Sequence, residues 1–247
     1  MKVITITANP LSSSTPSARK AETVITEIDT TTSKSTEIQD ILKACENREN
    51  LSDESSQLRF PGISEILPTL YLCGAGVAIP SIMEKLDIKC VVNVAPELPD
   101  TPLPNNKPVY LRVNVYDRRD ADLKTYFDEV ADLIEEVRQT NGKSLVHCVA
   151  GVSRSASLCI AYLIKHMKMS LRDAYLHVKN ARPQIRPNLG FFQQLLEYEE
   201  ELRGEKSVKM IFVKSLDREI PDVFEPEYRA MEEFYQKCRR HYETIRR

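Results

Sequence analysis

At 247 residues, the chain is too long for one small module and hardly long enough for two domains of about 150 residues each. Hydrophobic residues make up 42% and charged residues 28%, which excludes wholesale disorder. The 34 basic and 36 acidic side chains leave a net charge of −2, which excludes a surface built wholly for nucleic acid or anionic membrane but allows a local basic pocket.

The 10 Tyr and 7 Phe all lie at Phe60 or later, and the first glycine is Gly62. Residues 1–59 hold 18 Ser and Thr instead, so this Ser/Thr-rich stretch reads as a disordered leader with little apolar surface to bury. The competing reading is a short docking helix around Glu37–Cys45, with Ile38, Ile41 and Leu42 at helical spacing. Lys2, Arg19 and Lys20 precede the first acidic residue, Glu22, faintly like a mitochondrial transit peptide. With no amphipathic basic helix and no long apolar signal run, a cytoplasmic location with nuclear access is the expectation. No uninterrupted run of 18 apolar residues occurs, so no membrane span is expected.

From Gly62 onward, short apolar runs alternate with helical patterns. Leu70–Cys73 and Ile88–Val94 read as strands around a helix opened by Pro80. Pro96, Pro99, Pro102, Pro104 and Pro108 mark an irregular connection before an alternating strand, Val109–Val115. Leu123, Tyr126, Phe127, Val130, Leu133, Ile134 and Val137 form one helix stripe, closed by Asn141-Gly142. Ser144–His147 is a short strand, and Ser155–Met167 is apolar nearly all round, as a buried helix would be. Ser170 caps a helix through Ala181, and Asn188 caps another through Arg203. The order predicts an α/β domain over residues 60–204, a mostly parallel central sheet flanked by helices. A polar break opens at Gly204, and residues 205–247 form an extension with an amphipathic helix over Glu225–Tyr242. Its face of Tyr228, Met231, Phe234, Tyr235, Cys238 and Tyr242 either packs back on the body or meets a partner.

Of the six cysteines, at 45, 73, 90, 148, 159 and 238, none forms a C-x-x-C pair or a metal-like cluster with the four histidines. Cys73, Cys90 and Cys159 sit in apolar runs and read as small buried hydrophobes. The segment from Val146 to Ser155, Val-His-Cys-Val-Ala-Gly-Val-Ser-Arg-Ser, carries the chemistry. A strand delivers Cys148, five small or aliphatic residues turn, and a helix starts at Arg154. Successive backbone N–H groups from Val149, Ala150, Gly151, Val152 and Ser153 and a helix N-terminus then face one concavity, an anion site. Gly151 admits close backbone approach, Arg154 supplies a two-pronged contact to phosphate oxygens, and the same field favours a Cys148 thiolate nucleophile.

This segment resembles the active-site motif of the protein tyrosine phosphatase superfamily, and more closely that of a small atypical dual-specificity phosphatase. The similarity runs from about Ile63 to Arg203, through Ser64-Glu65-Ile66-Leu67-Pro68 and Arg182-Pro183-Gln184-Ile185-Arg186-Pro187-Asn188. Ser207–Met210 and Ile220–Val223 are similar to the tail of a MAP-kinase-phosphatase-like subgroup. The resemblance implies that Cys148 attacks phosphorus, Arg154 holds the phosphoryl oxygens, and Ser155 assists the sulfur as it leaves. It makes His147 a neighbour that helps set the thiolate and Asn188 part of a brace behind the loop. The acid that protonates the leaving oxygen should lie on another loop, and Asp117 matches the family position, with Asp120 and Asp122 nearby as alternatives or helix caps.

The resemblance implies a metal-independent protein phosphatase with no cofactor, acting on phosphotyrosine and phosphoserine or phosphothreonine. MAP kinases or kinases upstream of them are candidate substrates, although a leader of roughly 60 residues is short for a rhodanese-like kinase-docking domain. Nothing in the sequence sets an oligomeric state or points to nucleic acid. A phosphatase for phosphoinositide, RNA 5′-phosphate or glucan would favour Lys or His inside the loop, and residues 149–153 have neither. A phosphoprotein-binding module would need the cradle and Arg154, but neither Cys148 nor Asp117. A thiolate on an exposed loop would also be open to oxidation, with Cys73 or Cys90 as resolving partners.

Overall fold

Short runs rich in Val, Ile and Leu, bounded by turn residues, build one six-stranded sheet. The computed structural model describes residues 4–5, 60–213, 217–230 and 233–234. The strands are β1 (Ile4–Thr5), β2 (Ile63–Leu67), β3 (Leu70–Gly74), β4 (Ile88–Asn93), β5 (Val109–Arg112) and β6 (Lys143–Cys148), in the order β1-β5-β4-β6-β3-β2. All neighbours pair in parallel except β2, which runs antiparallel to β3. Apart from residues 4–5, the leader lies outside the described residues, as does the helix expected at Glu37–Cys45.

The central strand, β6, lies between β3 and β4, with Gly74 opposite Cys148 and Asn93 opposite His147. Pairing continues beyond the strand ends: Val94 N–H donates to the His147 carbonyl (2.8 Å), and Ala75 N–H donates to that of Val149 (3.0 Å). The chain after β6 is thus held from both sides at the carboxyl edge of the sheet, where open α/β sheets place their ligands. The ladder of β5 stops at Arg112 rather than Val115. Val115 N–H turns back to the Val113 carbonyl (3.1 Å), and this γ-turn takes the chain toward Asp117.

Among the described residues, five helices cover the sheet: α1 (Pro80–Leu86), α2 (Phe127–Gln139), α3 (Arg154–Lys165), α4 (Leu171–Ala181) and α5 (Leu189–Arg203). The caps follow the local chemistry. Pro80 occupies the first turn of α1, Ser170 accepts from Asp173 N–H, Asn188 accepts from Phe191 N–H, and Gly204 ends α5 in the left-handed region. Every residue of α3 from Arg154 to Ile164 is buried, because α2, α4, α5 and β6 surround it.

Packing continues past Gly204. Met210–Val213 (β7) and Arg218–Pro221 (β8) form a hairpin, followed by a tight turn at Asp222–Phe224 and helical residues 225–230. Val208, Ile220 and Phe224 are buried, and the Phe224 ring meets Phe192 and Tyr175 at 5.0 and 5.4 Å between centroids. The fully buried Glu199 accepts from Leu171 N–H (2.7 Å) and Ser207 N–H (2.9 Å), tying the start of this segment to α4 and α5. Further along, Arg172 pairs with Asp222, Lys179 with Glu227, and the Arg186 guanidinium stacks 4.4 Å over the Tyr228 ring. Of the expected helix face, Tyr228 thus packs against the body, while Met231, Tyr235, Cys238 and Tyr242 lie outside the described residues.

Candidate active site

The turn after β6 wraps over the Cys148 sulfur. Gly151 has φ of +66°, and a Cβ there would lie 2.5 Å from the Cys73 carbonyl, so no larger residue fits. Gly151 N–H (3.3 Å) and Ser155 Oγ (3.1 Å) both point at Cys148 Sγ. Contrary to the expected exposed nucleophile, Cys148 is 2% exposed while the next residue, Val149, is 41% exposed. The sulfur is the floor of the loop, and Val149 and Ala150 are its rim. No side chain caps α3, whose first N–H groups stay directed toward the loop.

Behind the loop, Arg182 (4% exposed) donates to three carbonyls: Gly151 (2.7 Å), Ala150 (3.1 Å) and Gly62 (2.9 Å). Arg186 N–H holds the Val152 carbonyl at 2.8 Å. Burial lowers the Arg182 guanidinium, an effect opposed by the thiol groups of Cys73, Cys148 and Cys159 around it. Cys73, Cys90 and Cys159 are fully buried, as their apolar sequence context predicts, and burial pushes the thiols of Cys73 and Cys90 up to about 12. Neither is a ready thiolate to attack an oxidised Cys148.

Arg154 is the residue the sequence places least completely. Its guanidinium, 3% exposed, forks onto the Glu97 carboxylate, with NH1–Oε2 at 2.8 Å and NH2–Oε1 at 2.5 Å. Its Nε has no hydrogen-bond partner and lies 3.7 Å from Asp117 Oδ2. Burial alone would lower Arg154, but the Glu97 bond and the Cys148, Glu97 and Asp117 charges raise it, while that same Arg154 bond lowers Glu97. Glu97 lies in the proline-rich connection, which β5 fixes through Arg112: its guanidinium reaches Asp100, the Pro96 carbonyl (3.2 Å) and the Leu98 carbonyl (2.6 Å). The same connection carries Thr101, whose Oγ1 meets His147 Nε2 at 2.7 Å. An expected result of this bracing is that Glu97→Ala lowers kcat/KM on a small aryl phosphate about 10–100-fold, checked by steady-state kinetics.

Burial drives the His147 imidazole down to about 4 from 6.5, so it is neutral at physiological pH. The folded value lies below the unfolded one, so its contribution to stability is complete above pH 6.5 and is lost as pH falls toward 4. That loss is about 3 kcal/mol. Urea titrations across this range should show a shallower acid loss for His147→Asn than for the parent.

The three aspartates of the loop after β5 separate clearly. Asp117 Oδ1 accepts from Ser153 Oγ (2.8 Å) and Asn188 Nδ2 (2.7 Å), joining the phosphate-type loop to the start of α5. Asp120 forks with the exposed Arg118, and Asp122 accepts from Thr125 N–H as a turn cap. Asp117 alone of the three meets Arg154 and Ser153.

A family model for the dual specificity phosphatase catalytic domain matches residues 70–201. The chain belongs to the dual-specificity phosphatase family. It is similar to mouse dual specificity protein phosphatase 14, with 46% identity over 171 residues covering 69% of this chain and 84% of that protein. The crystal structure of human DUSP28 aligns at a TM-score of 0.56 and 34% identity, covering 59% of this chain and 97% of that one. A human tyrosine phosphatase-like serine/threonine/tyrosine-interacting protein aligns at 0.52 and 33%, covering 56% and 96%. The phosphatase is thus a small, atypical dual-specificity protein phosphatase whose substrates are phosphoproteins. Among its described residues, no helix is long and apolar enough to cross a membrane.

Proposed function

We propose that the phosphatase cleaves phosphotyrosine and phosphoserine or phosphothreonine through a cysteinyl-phosphate. The Cys148 sulfur attacks phosphorus and the P–O bond to the protein breaks. Asp117 gives its proton to the departing oxygen. Water then attacks phosphorus with Asp117 taking up a proton, the P–S bond breaks, and Ser155 donates to the leaving sulfur. Arg154 and the loop N–H groups hold the equatorial oxygens throughout. MAP kinases or kinases upstream of them are the proposed phosphoproteins, on the strength of the tail similarity.

The observation that carries this reading is the buried Arg154 Nε, a donor without a hydrogen-bond partner, set beside Asp117 in the cradle that encloses Cys148 Sγ. The fold also occurs in a protein described as interacting, so fold alone does not select catalysis. A pure binder has no use for a sulfur faced by two donors with a carboxylate beside the Arg.

Turnover of a small aryl phosphate in excess EDTA, with acid-quenched mass spectrometry of the peptide containing Cys148, tests the reading. Phosphate on Cys148 with undiminished turnover is expected. Phosphate on another residue, or loss of turnover on chelation, would overturn it.

A further inference from the structure

The loop that carries Asp117 is fastened to a single helix by contacts the reaction itself does not use. Asn188, the cap of α5, reaches Asp117 and also the Arg118 carbonyl (3.4 Å). Two residues on, a Cβ at Gly190 would collide with the Arg119 carbonyl oxygen, so the loop lies directly on the helix backbone. Gln194 makes three bonds: Nε2 donates to the Ala121 carbonyl (2.8 Å), and Oε1 accepts from Leu123 N–H and Lys124 N–H (2.9 Å each). Only one orientation of the amide satisfies two donors and one acceptor, so the network fixes it. Lys124 Nζ then reaches Glu201 (2.7 Å) and Glu197 (3.6 Å) further along α5.

Positions 190, 194, 197 and 201 recur at helical spacing and, below the Asn188 cap, form a row along α5 that follows the loop from Asp117 to Lys124. Gln194 is the middle of this row. It satisfies backbone groups at both sides of Asp122, where the loop would otherwise have to find water or swing outward. Without it, the segment would keep the Asn188 contacts and the Lys124 ion pairs but lose the hydrogen bonds that hold its backbone at Ala121, Leu123 and Lys124. A displacement of about 1 Å at a proton donor is enough to cost one to two orders of magnitude.

We propose that Gln194 is a positioning residue for proton transfer, holding the Asp117 loop closed on α5 before substrate arrives. The proposal rests on Asp117 being the general acid. The test compares kcat/KM on phenyl phosphate, which needs a proton for its leaving group, with that on dinitrophenyl phosphate, which needs little help. In Gln194→Met, similar in volume but without hydrogen bonds, the phenyl-to-dinitrophenyl ratio should fall about tenfold. In Gln194→Glu, which keeps the acceptor, it should fall less. In an Asp117→Asn background, Gln194→Met should add no further change in the ratio, because the group it positions is gone. Inhibition by inorganic phosphate should stay within about twofold in Gln194→Met and Gln194→Glu, since no hydrogen bond of Gln194 reaches the cradle.

Equal losses on both esters would assign Gln194 to general stability and overturn the proposal, as would an unchanged ratio in both variants. Thermal midpoints separate unfolding from misplacement. If Gln194→Met does not fold, an unchanged ratio in Gln194→Glu still counts against it. If Asp117→Asn itself leaves the ratio intact, it is the assignment of the acid that fails.

Discussion

Cys148→Ser should lower turnover of any phosphate ester by about five to six orders of magnitude. The reason lies in what surrounds the sulfur. Gly151 N–H and Ser155 Oγ are set for a large, polarisable anion at the floor of the loop. A serine hydroxyl is shorter and holds its proton near neutral pH, and the adjacent imidazole is a poor base for it: His147 is turned toward Thr101, with its pKa lowered to about 4. Arg154 and the loop are untouched by the change, so binding should survive. Steady-state kinetics and retention of phosphoproteins by the variant, eluted with vanadate or inorganic phosphate, check both halves. Residual turnover of even a hundredth of the parent's would show that another group attacks phosphorus.

Phe224→Ala should destabilise the domain by about 3–5 kcal/mol and lower its melting point by roughly 10 °C. The residue lies outside the segment that the family model matches, yet its ring is 1% exposed. It closes an aromatic cluster in which Tyr175 belongs to α4 and Phe192 to α5. Removing the ring would open a cavity against both helices and strip one face from the Arg186 guanidinium, 5.6 Å away. Thermal unfolding monitored by circular dichroism measures the shift. Phe212→Ala, at a ring 58% exposed on the hairpin, is the control and should stay within about 0.5 kcal/mol of the parent.

The legible parts of this molecule are those encoded locally. Pro80, Ser170, Asn188 and Gly204 mark helix ends because their chemistry acts within three or four residues, and the structure places a helix end at each. The loop from Cys148 to Arg154 is equally local, a strand, a turn and a helix start in sequence. Glu97 was not legible, since it meets Arg154 across 57 residues and stands in a connection whose prolines suggest only irregular chain. The available signal was indirect: a buried arginine at a sheet edge needs a carboxylate, and the chain after β4 reaches that edge. Gln194 is harder still. It sits in a helix without any motif, and its partners are backbone groups about 70 residues earlier, which no side-chain pattern announces. The hairpin after Gly204 is less legible: Met210–Val213 is one short apolar run, but the facing strand Arg218–Pro221 carries charges and the chain between them has no Gly or Asn turn signal. Its burial comes from rings on α4 and α5 rather than from its own composition.

The bracing of the loop also sets how far its sequence could drift or be redesigned. Gly151 is closed to every side chain by the Cys73 backbone, and Ser153 is committed to Asp117 and to Asn188 N–H. Val152 is half-buried, with its carbonyl bound by Arg186. Val149 and Ala150 alone present exposed side chains at the mouth. An engineer seeking new substrate preference through this loop has two letters to change, and natural variation among chains built this way should concentrate at the same two.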